Sequence, residues 1–154
     1  MLPGVRLGID VGKARVGVAR SDPSGLLASP VETVTREGAV SRILGLAQEH
    51  GAVELVVGLP LSLSGAETAS TADARAFAED LASQGSLPVR LVDERLSTVS
   101  AQGILSAQGH SAKKQRAIVD QAAAVIILQH LLDSVRAHSR APGELLNPTG
   151  SIDD

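Results

Sequence analysis

The sequence predicts an α/β domain built on a mixed five-stranded sheet with helices on both sides. Three observations lead there. β-rich runs near the start follow one another through tight turns. Beyond residue 40, stretches of helical period alternate with short apolar runs. The 154 residues contain no internal repeat and suit one compact domain.

The elements can be read in order. Val5–Asp10 is β-rich and ends in Asp-Val-Gly; Arg15–Ala19 alternates and stops at the turn signal Ser21-Asp22-Pro23. Leu27–Val34 is a third strand interrupted by Pro30, which cannot donate to a ladder and so points to an edge position or a bulge. Two tight connections in succession imply an antiparallel meander. The period then changes: Val40, Ile43, Leu44 and Ala47 share one helical face, and Gly51 closes that helix. Glu54–Gly58 reads as a strand, followed by Leu59-Pro60 and a small-residue loop through Gly65. Thr71–Gln84 is amphipathic, with Ala74, Phe77, Ala78 and Leu81 on its core face. Pro88–Val92 is the fifth strand, Ser97–Gln108 a helix stopped by Gly109, His110–Gln115 a basic loop and Ala117–Ala137 the last helix. The pattern is βββαβαβαα. With the fourth strand between the first and fifth, the sheet order is 3-2-1-4-5. Residues 1–140 form the single expected domain, and 141–154 an acidic tail expected to be flexible.

Composition narrows the function. Hydrophobic residues make up 44% of the chain and charged residues 20%, an ordinary globular balance. The most apolar window, Ala117–Leu132, carries Asp120, Gln121, Gln129 and His130 and reads as a buried helix, not a membrane span. The start of the chain lacks a signal-peptide pattern. Cysteine is absent, which removes disulfides, thiolate metal sites and cysteine nucleophiles together and fits a reducing, cytoplasmic setting with no membrane partner. Phe77 is the one aromatic residue, so a nucleic-acid ligand would be read through backbone and shape, not base stacking. Net charge is −3, yet Arg95–Arg140 holds six basic residues against two acidic ones, so one face can be basic while the total is not.

Three carboxylates stand out. Asp10 ends the first strand, where it would also suit a turn cap before Gly12. Glu94 follows Asp93 at the end of the fifth strand, where an acid also interacts favourably with the next helix's dipole. Asp120 lies inside Ala-Ile-Val-Asp-Gln-Ala-Ala-Ala-Val-Ile-Ile-Leu; a carboxylate on so apolar a helix calls for a cation, and Arg116 one turn back is an alternative to a metal. Ligands of open α/β sheets collect outside the carboxyl ends of the strands. Asp10 and Glu94 both sit there, and a last helix crossing that crevice would bring Asp120 to them. Three acids suit a hard cation with oxygen ligands, Mg²⁺ or Mn²⁺. Such a site can hydrolyse phosphodiesters, with Lys13, Arg15, Arg95, Lys113, Lys114 and Arg116 as phosphate-neutralising candidates. His50, His110, His130 and His138 are scattered and form no triad pattern.

These residues also fall in recognisable motifs. Gly8-Ile-Asp-Val-Gly-Lys-Ala-Arg-Val-Gly-Val-Ala-Arg-Ser-Asp22 resembles the opening motif of the YqgF/RuvX family. Val56-Val-Gly-Leu-Pro-Leu61, Asp93-Glu-Arg-Leu-Ser-Thr98 and Val119-Asp-Gln-Ala-Ala-Ala124 resemble its other three motifs in the same order, over about residues 5–133. The resemblance implies a ribonuclease H-like fold related to the RuvC resolvases, and a nuclease acting on the 5′ end of pre-16S ribosomal RNA. It assigns the catalytic and metal-holding roles to Asp10, Glu94 and Asp120, and adds Thr98 to the nucleic-acid-binding candidates. Whether Asp93 shares the role of Glu94 stays open. Ser62-Leu-Ser-Gly65 departs from the Met-Asp-Gly-like loop frequent in relatives, which leaves that loop's contacts open.

Three other functions compete. Four-way DNA junction cleavage keeps the site but needs a stable dimer; the sequence offers no clear dimer seam and reads as a monomer or weak homodimer. A sugar-kinase or actin-type ATPase would need two such domains. A non-catalytic RNA-binding ribosome-assembly factor would keep the scaffold without the chemistry. A dinucleotide fold fits poorly, because Gly8-Ile-Asp-Val-Gly12 lacks the Gly-x-Gly-x-x-Gly spacing.

Overall fold

The computed structural model describes residues 4–62, 64–93, 112–138 and 142–148, with the backbone alone for 112–120. Its strands are β1 (Val5–Val11), β2 (Arg15–Ser21), β3 (Ala28–Thr35), β4 (Ala52–Leu59), β5 (Val89–Asp93) and β6 (Glu144–Leu146), in the order β3-β2-β1-β4-β5-β6. The helices are α1 (Ala39–His50), α2 (Ala69–Gln84) and α3 (Ala112–His138). The first three strands pair antiparallel, while β1, β4 and β5 are parallel, as the meander and the later crossovers require. β3 is an edge strand. Its register with β2 slips between Val18 and Ala19, next to Pro30, so both expectations attached to that proline hold.

Two features differ from the sequence reading. A sixth strand joins the sheet, because Glu144–Leu146 pair antiparallel with Val89–Leu91 and cover what would be an open edge. Part of the segment expected to be loose is therefore ordered. Gly143 admits it: its φ is 89°, and a Cβ there would lie 2.1 Å from the Leu91 carbonyl oxygen. Three residues in a Gly/Pro setting carry too little pattern to announce such a strand. The last helix starts at Ala112, not Ala117, so Lys113 and Lys114 stand on helical backbone instead of in a basic loop, and Arg116 is helical too. The helix expected over Ser97–Gln108 lies outside the described residues.

Capping matches local chemistry. Gly51 ends α1 in the left-handed region at φ 62°, its N–H donating to the carbonyls of Ala47 and Gln48. Thr68 and Thr71 form a reciprocal capping box at the start of α2. The Thr71 hydroxyl also donates to the Pro60 carbonyl, tying α2 to the end of β4.

The sheet separates two apolar layers. On one face Leu7, Ile9, Val16, Val18, Leu55, Val57 and Leu91 pack against α1 and α2, including Ala74, Phe77, Ala78 and Leu81. On the other, Ala19, Val56 and Val92 pack against Ala124, Ile127, Leu128 and Leu131 of α3. This second face also carries a buried ionic row near the amino ends of the parallel strands. Arg6 Nε donates to Glu54 Oε1 at 3.3 Å, and Arg90 reaches both Glu54 oxygens at 3.4 Å. Arg6 and Arg90 donate further to the carbonyls of Gly4 and Pro142.

Helix α3 comes unusually close to β1. A Cβ on Gly8 would lie 2.8 Å from both the Ala124 carbonyl oxygen and the Leu128 Cβ. Backbone cannot yield as a flexible side-chain tip would. Gly8→Ala is therefore expected to destabilise the fold by about 1–3 kcal/mol, the usual cost of overpacking, measured by urea denaturation. Unchanged stability would mean that the contact is not tight.

Candidate functional site

Cross-strand register assembles the site. Asp10 at the end of β1 lies opposite Gly17 of β2, and Gly17 lies opposite Thr33 of β3. Directly paired residues share a sheet face, so Asp10, Gly17 and Thr33 form one row. Ala19, two residues from Gly17 and thus on the same face, belongs to the layer that α3 covers.

Two contacts fix how α3 crosses this row. Ala124 and Leu128 lie over Gly8, two residues before Asp10. Gln121 Nε2 donates to Thr33 Oγ1 at 2.9 Å, in the row of Asp10. Farther along, Gln129 bonds Ala28 and Leu26, and Arg136 bonds the Gly25 and Leu26 carbonyls. α3 therefore runs antiparallel to β3 and β1. Stepping back one turn from Ala124 covers about 6 Å along the helix, close to the roughly 6.6 Å of two strand residues. The backbone turn that carries Asp120 thus crosses the Asp10–Gly17–Thr33 row. Gly17, in the middle of the row, contributes no side chain.

Of the acids singled out in the sequence, Asp10 is half-buried at the carboxyl end of β1. Asp120 is described by its backbone alone, and Glu94, like Arg95 and Thr98, lies outside the described residues. Asp93 is the last residue of β5 and is exposed. It has the parity of Leu91, which packs on the α1/α2 face, whereas Asp10 is on the α3 face. Position along the strand thus separates Asp93 from Asp10. Lys13 is exposed in the turn between β1 and β2, just past Asp10, and Arg15 is half-buried at the start of β2. Lys113, Lys114 and Arg116 occupy the first turns of α3.

The β1–β2 turn has a support that sequence reasoning missed. Gly12 N–H donates to the Arg15 carbonyl at 2.8 Å, and Arg36 N–H to the Ala14 carbonyl at 2.9 Å. The Arg36 guanidinium donates to the Gly12 carbonyl at 3.0 Å and makes a bidentate pair with Asp73 of α2 at 2.9 and 2.7 Å. It also lies 5.1 Å from the centre of the Phe77 ring. The hydrogen bonds from Arg36 hold the Asp73 carboxyl below its usual range, and Lys13 adds a smaller effect in the same direction. No local pattern joins positions 36 and 73. Only the fold brings them together.

The loop that departs from the family pattern is closed by Ser62, whose Oγ accepts from Ala66 N–H at 3.1 Å while its carbonyl accepts from Gly65 N–H at 2.8 Å. Asp22, the last acid of the first motif, works as a loop clamp. Its carboxylate accepts from the Ser24 hydroxyl and from the backbone N–H groups of Ser24, Leu26 and Leu27.

An antiparallel meander continued by two parallel strands, with an acid at the end of β1 beneath a crossing helix, defines the ribonuclease H-like class of α/β proteins. Solved structures bear out that fold. Thermus thermophilus RuvC aligns with a TM-score of 0.55 at 20% identity, covering 90% of this chain and 99% of that one. The T. thermophilus RuvC complex with Holliday junction substrate aligns with a TM-score of 0.57 at 15% identity over the same shares. The chain belongs to the family described as RuvX, Holliday junction resolvase, whose model matches residues 4–134. Its activity class is that of a nuclease. A Clavibacter michiganensis relative named "Putative pre-16S rRNA nuclease" is 59% identical, with 97% of this chain and 95% of the relative covered. Relatives of the same name from Streptomyces coelicolor (94% of this chain, 89% of the relative) and Mycobacterium leprae (97% and 83%) are 51% and 55% identical.

The Asp22 clamp makes a pH prediction. Its pKa is lowered from 3.8 to about 2, chiefly by the Ser24 hydroxyl and then by the Leu27 N–H. A depressed folded-state value means that this contribution is complete above the unfolded value. It is lost as pH falls through the folded one, here from about 3.8 toward 2. Carboxyl NMR titration should find Asp22 ionised at pH 3; a midpoint near 3.8 would contradict the clamp.

Proposed function

We propose that this protein hydrolyses phosphodiester bonds of the 5′ leader of pre-16S ribosomal RNA, using a divalent ion held by Asp10, Glu94 and Asp120. The observation that carries this reading is the passage of the Asp120 turn of α3 across the row that contains Asp10, fixed by the Gln121–Thr33 bond and the Gly8 contact. Family membership and the names of the relatives support it.

The donor chemistry suits Mg²⁺ or Mn²⁺. Asp10 offers hard carboxylate oxygens, and neither Gly17 nor Thr33 beside it adds a soft ligand. When bound, the ion would supply Lewis acidity to the attacking water and the leaving oxygen. Asp10, Glu94 and Asp120 would hold the ion at that point. Lys13 and Arg15 stand where a phosphate approaching the end of β1 would meet positive charge. Arg95, Thr98, Lys113, Lys114 and Arg116 complete the proposed contact set. A cytoplasmic monomer or weak homodimer suits an RNA leader as substrate. Among the described residues no helix is long and apolar enough to cross a membrane.

Cleavage of four-way DNA junctions is the second reading, favoured by the family's description and the RuvC likeness. Incubation with Mg²⁺ and each substrate separates the two. Cutting of the RNA leader alone is expected; preferential, paired cuts in the junction would reverse the assignment. In the same assay Asp10→Asn should abolish cleavage while RNA affinity stays within about tenfold, or roughly 1.4 kcal/mol. Retained cleavage by Asp10→Asn would exclude a metal mechanism that depends on the Asp10 carboxylate.

A further inference from the structure

The side of the sheet opposite α3 contains a charged group that the nuclease reading does not use. Arg36 follows β3 and touches two separate parts of the chain, the β1–β2 turn and α2. Its main-chain N–H holds Ala14, and its guanidinium holds the Gly12 carbonyl and both Asp73 oxygens. One face of the guanidinium lies toward Phe77, which is buried in the α1/α2 layer. Gly12 is two residues past Asp10, Lys13 precedes Ala14 in the same turn, and Arg15 follows it as the first residue of β2. The turn is tight: a Cβ on Gly12 would lie 2.6 Å from the Arg15 carbonyl oxygen.

We propose that Arg36, oriented by Asp73, is a positioning residue that fixes the β1–β2 turn with Lys13, and so the end of the strand bearing Asp10, in the geometry that cleavage requires. This rests on the nuclease reading of Asp10. Arg36 is a poor candidate for a direct phosphate contact, because its fork is committed to Asp73 and Gly12. Lysine could not replace it, since one ammonium lacks the planar fork that meets a carboxylate with two parallel bonds. The link also joins α2 to the site, since Asp73 lies in the helix that Thr71 ties to the end of β4. Arg42–Glu32 provides an internal comparison: it is also bidentate, at 2.9 and 2.7 Å, but it is exposed and links β3 to α1.

The test compares Arg36→Met, Arg36→Lys, Asp73→Asn and the control Arg42→Met. A 5′-extended 16S rRNA leader is the probe, with single-turnover rate and RNA affinity measured separately in Mg²⁺. Amide hydrogen exchange of residues 11–16 is read on the same proteins. Arg36→Met and Asp73→Asn should cut about 10- to 100-fold more slowly, as expected for a misplaced catalytic group, with RNA affinity within about threefold and faster exchange in the turn. Arg36→Lys should fall between Arg36→Met and wild type, and Arg42→Met should match wild type in all three readouts. If Arg36→Met does not fold, Asp73→Asn carries the same comparison. A loosened turn with an unchanged rate overturns the positioning role alone. So does unaltered exchange, or a rate loss matched by an equal loss of RNA affinity. Failure of the wild type to cut the leader or a four-way junction would overturn the nuclease reading and this inference with it.

Discussion

The close contact between α3 and β1 at Gly8 is the constraint on which the rest of the site depends. It is a backbone contact, so its distance is set by the absence of a side chain and does not adjust by rotamer choice. Because α3 runs antiparallel to β1, this one contact determines which turn of the helix reaches the carboxyl end of the strand. Gln121–Thr33 then fixes the helix about its axis. Were α3 to slide by one turn, a different residue would cross the row of Asp10.

The two ends of the sheet are built differently. Near the amino ends of the parallel strands, the inward-facing positions hold Arg6, Glu54 and Arg90, each buried or nearly so and each bonded to the others or to backbone carbonyls. Breaking such a group by removing one member is costly, because it strands an unpaired charge in a dry place. Toward the carboxyl end, Gly17 lies beside Asp10 in the row, and Gly58 pairs with Val92 in the neighbouring strands. The first end registers the strands against one another, and the second leaves space beside Asp10.

Much of this was legible in the sequence because it follows from local pattern. Pro30 marked the edge and the slip in register. Gly51 marked a helix end, and Ala74, Phe77, Ala78 and Leu81 marked a core face. The parallel pairing of the later strands followed from alternating period and right-handed crossovers, while the place of β4 between β1 and β5 was a premise that the sheet bears out. Charged residues between apolar neighbours in Val-Arg-Leu, Val-Glu-Leu and Val-Arg-Leu carried a signal for the buried ionic row, and it went unread. β6 and the Arg36–Asp73 link had no such signal. The first is held by a positive-φ glycine and an edge that exists only in the folded sheet. The second joins residues 37 positions apart through a bidentate contact. Asp10 was legible as a strand-end acid; that α3 would cross over it needed the registry of Gly8 and Thr33.

The central claim is that acids distant in sequence share one hard cation at the end of β1. Anomalous diffraction from crystals soaked in Mn²⁺ tests it most directly. A manganese peak bridging the carboxylates of Asp10, Glu94 and Asp120 is the predicted result. A fully occupied peak elsewhere, or side chains of Glu94 and Asp120 turned away from Asp10 in the soaked crystal, would contradict it.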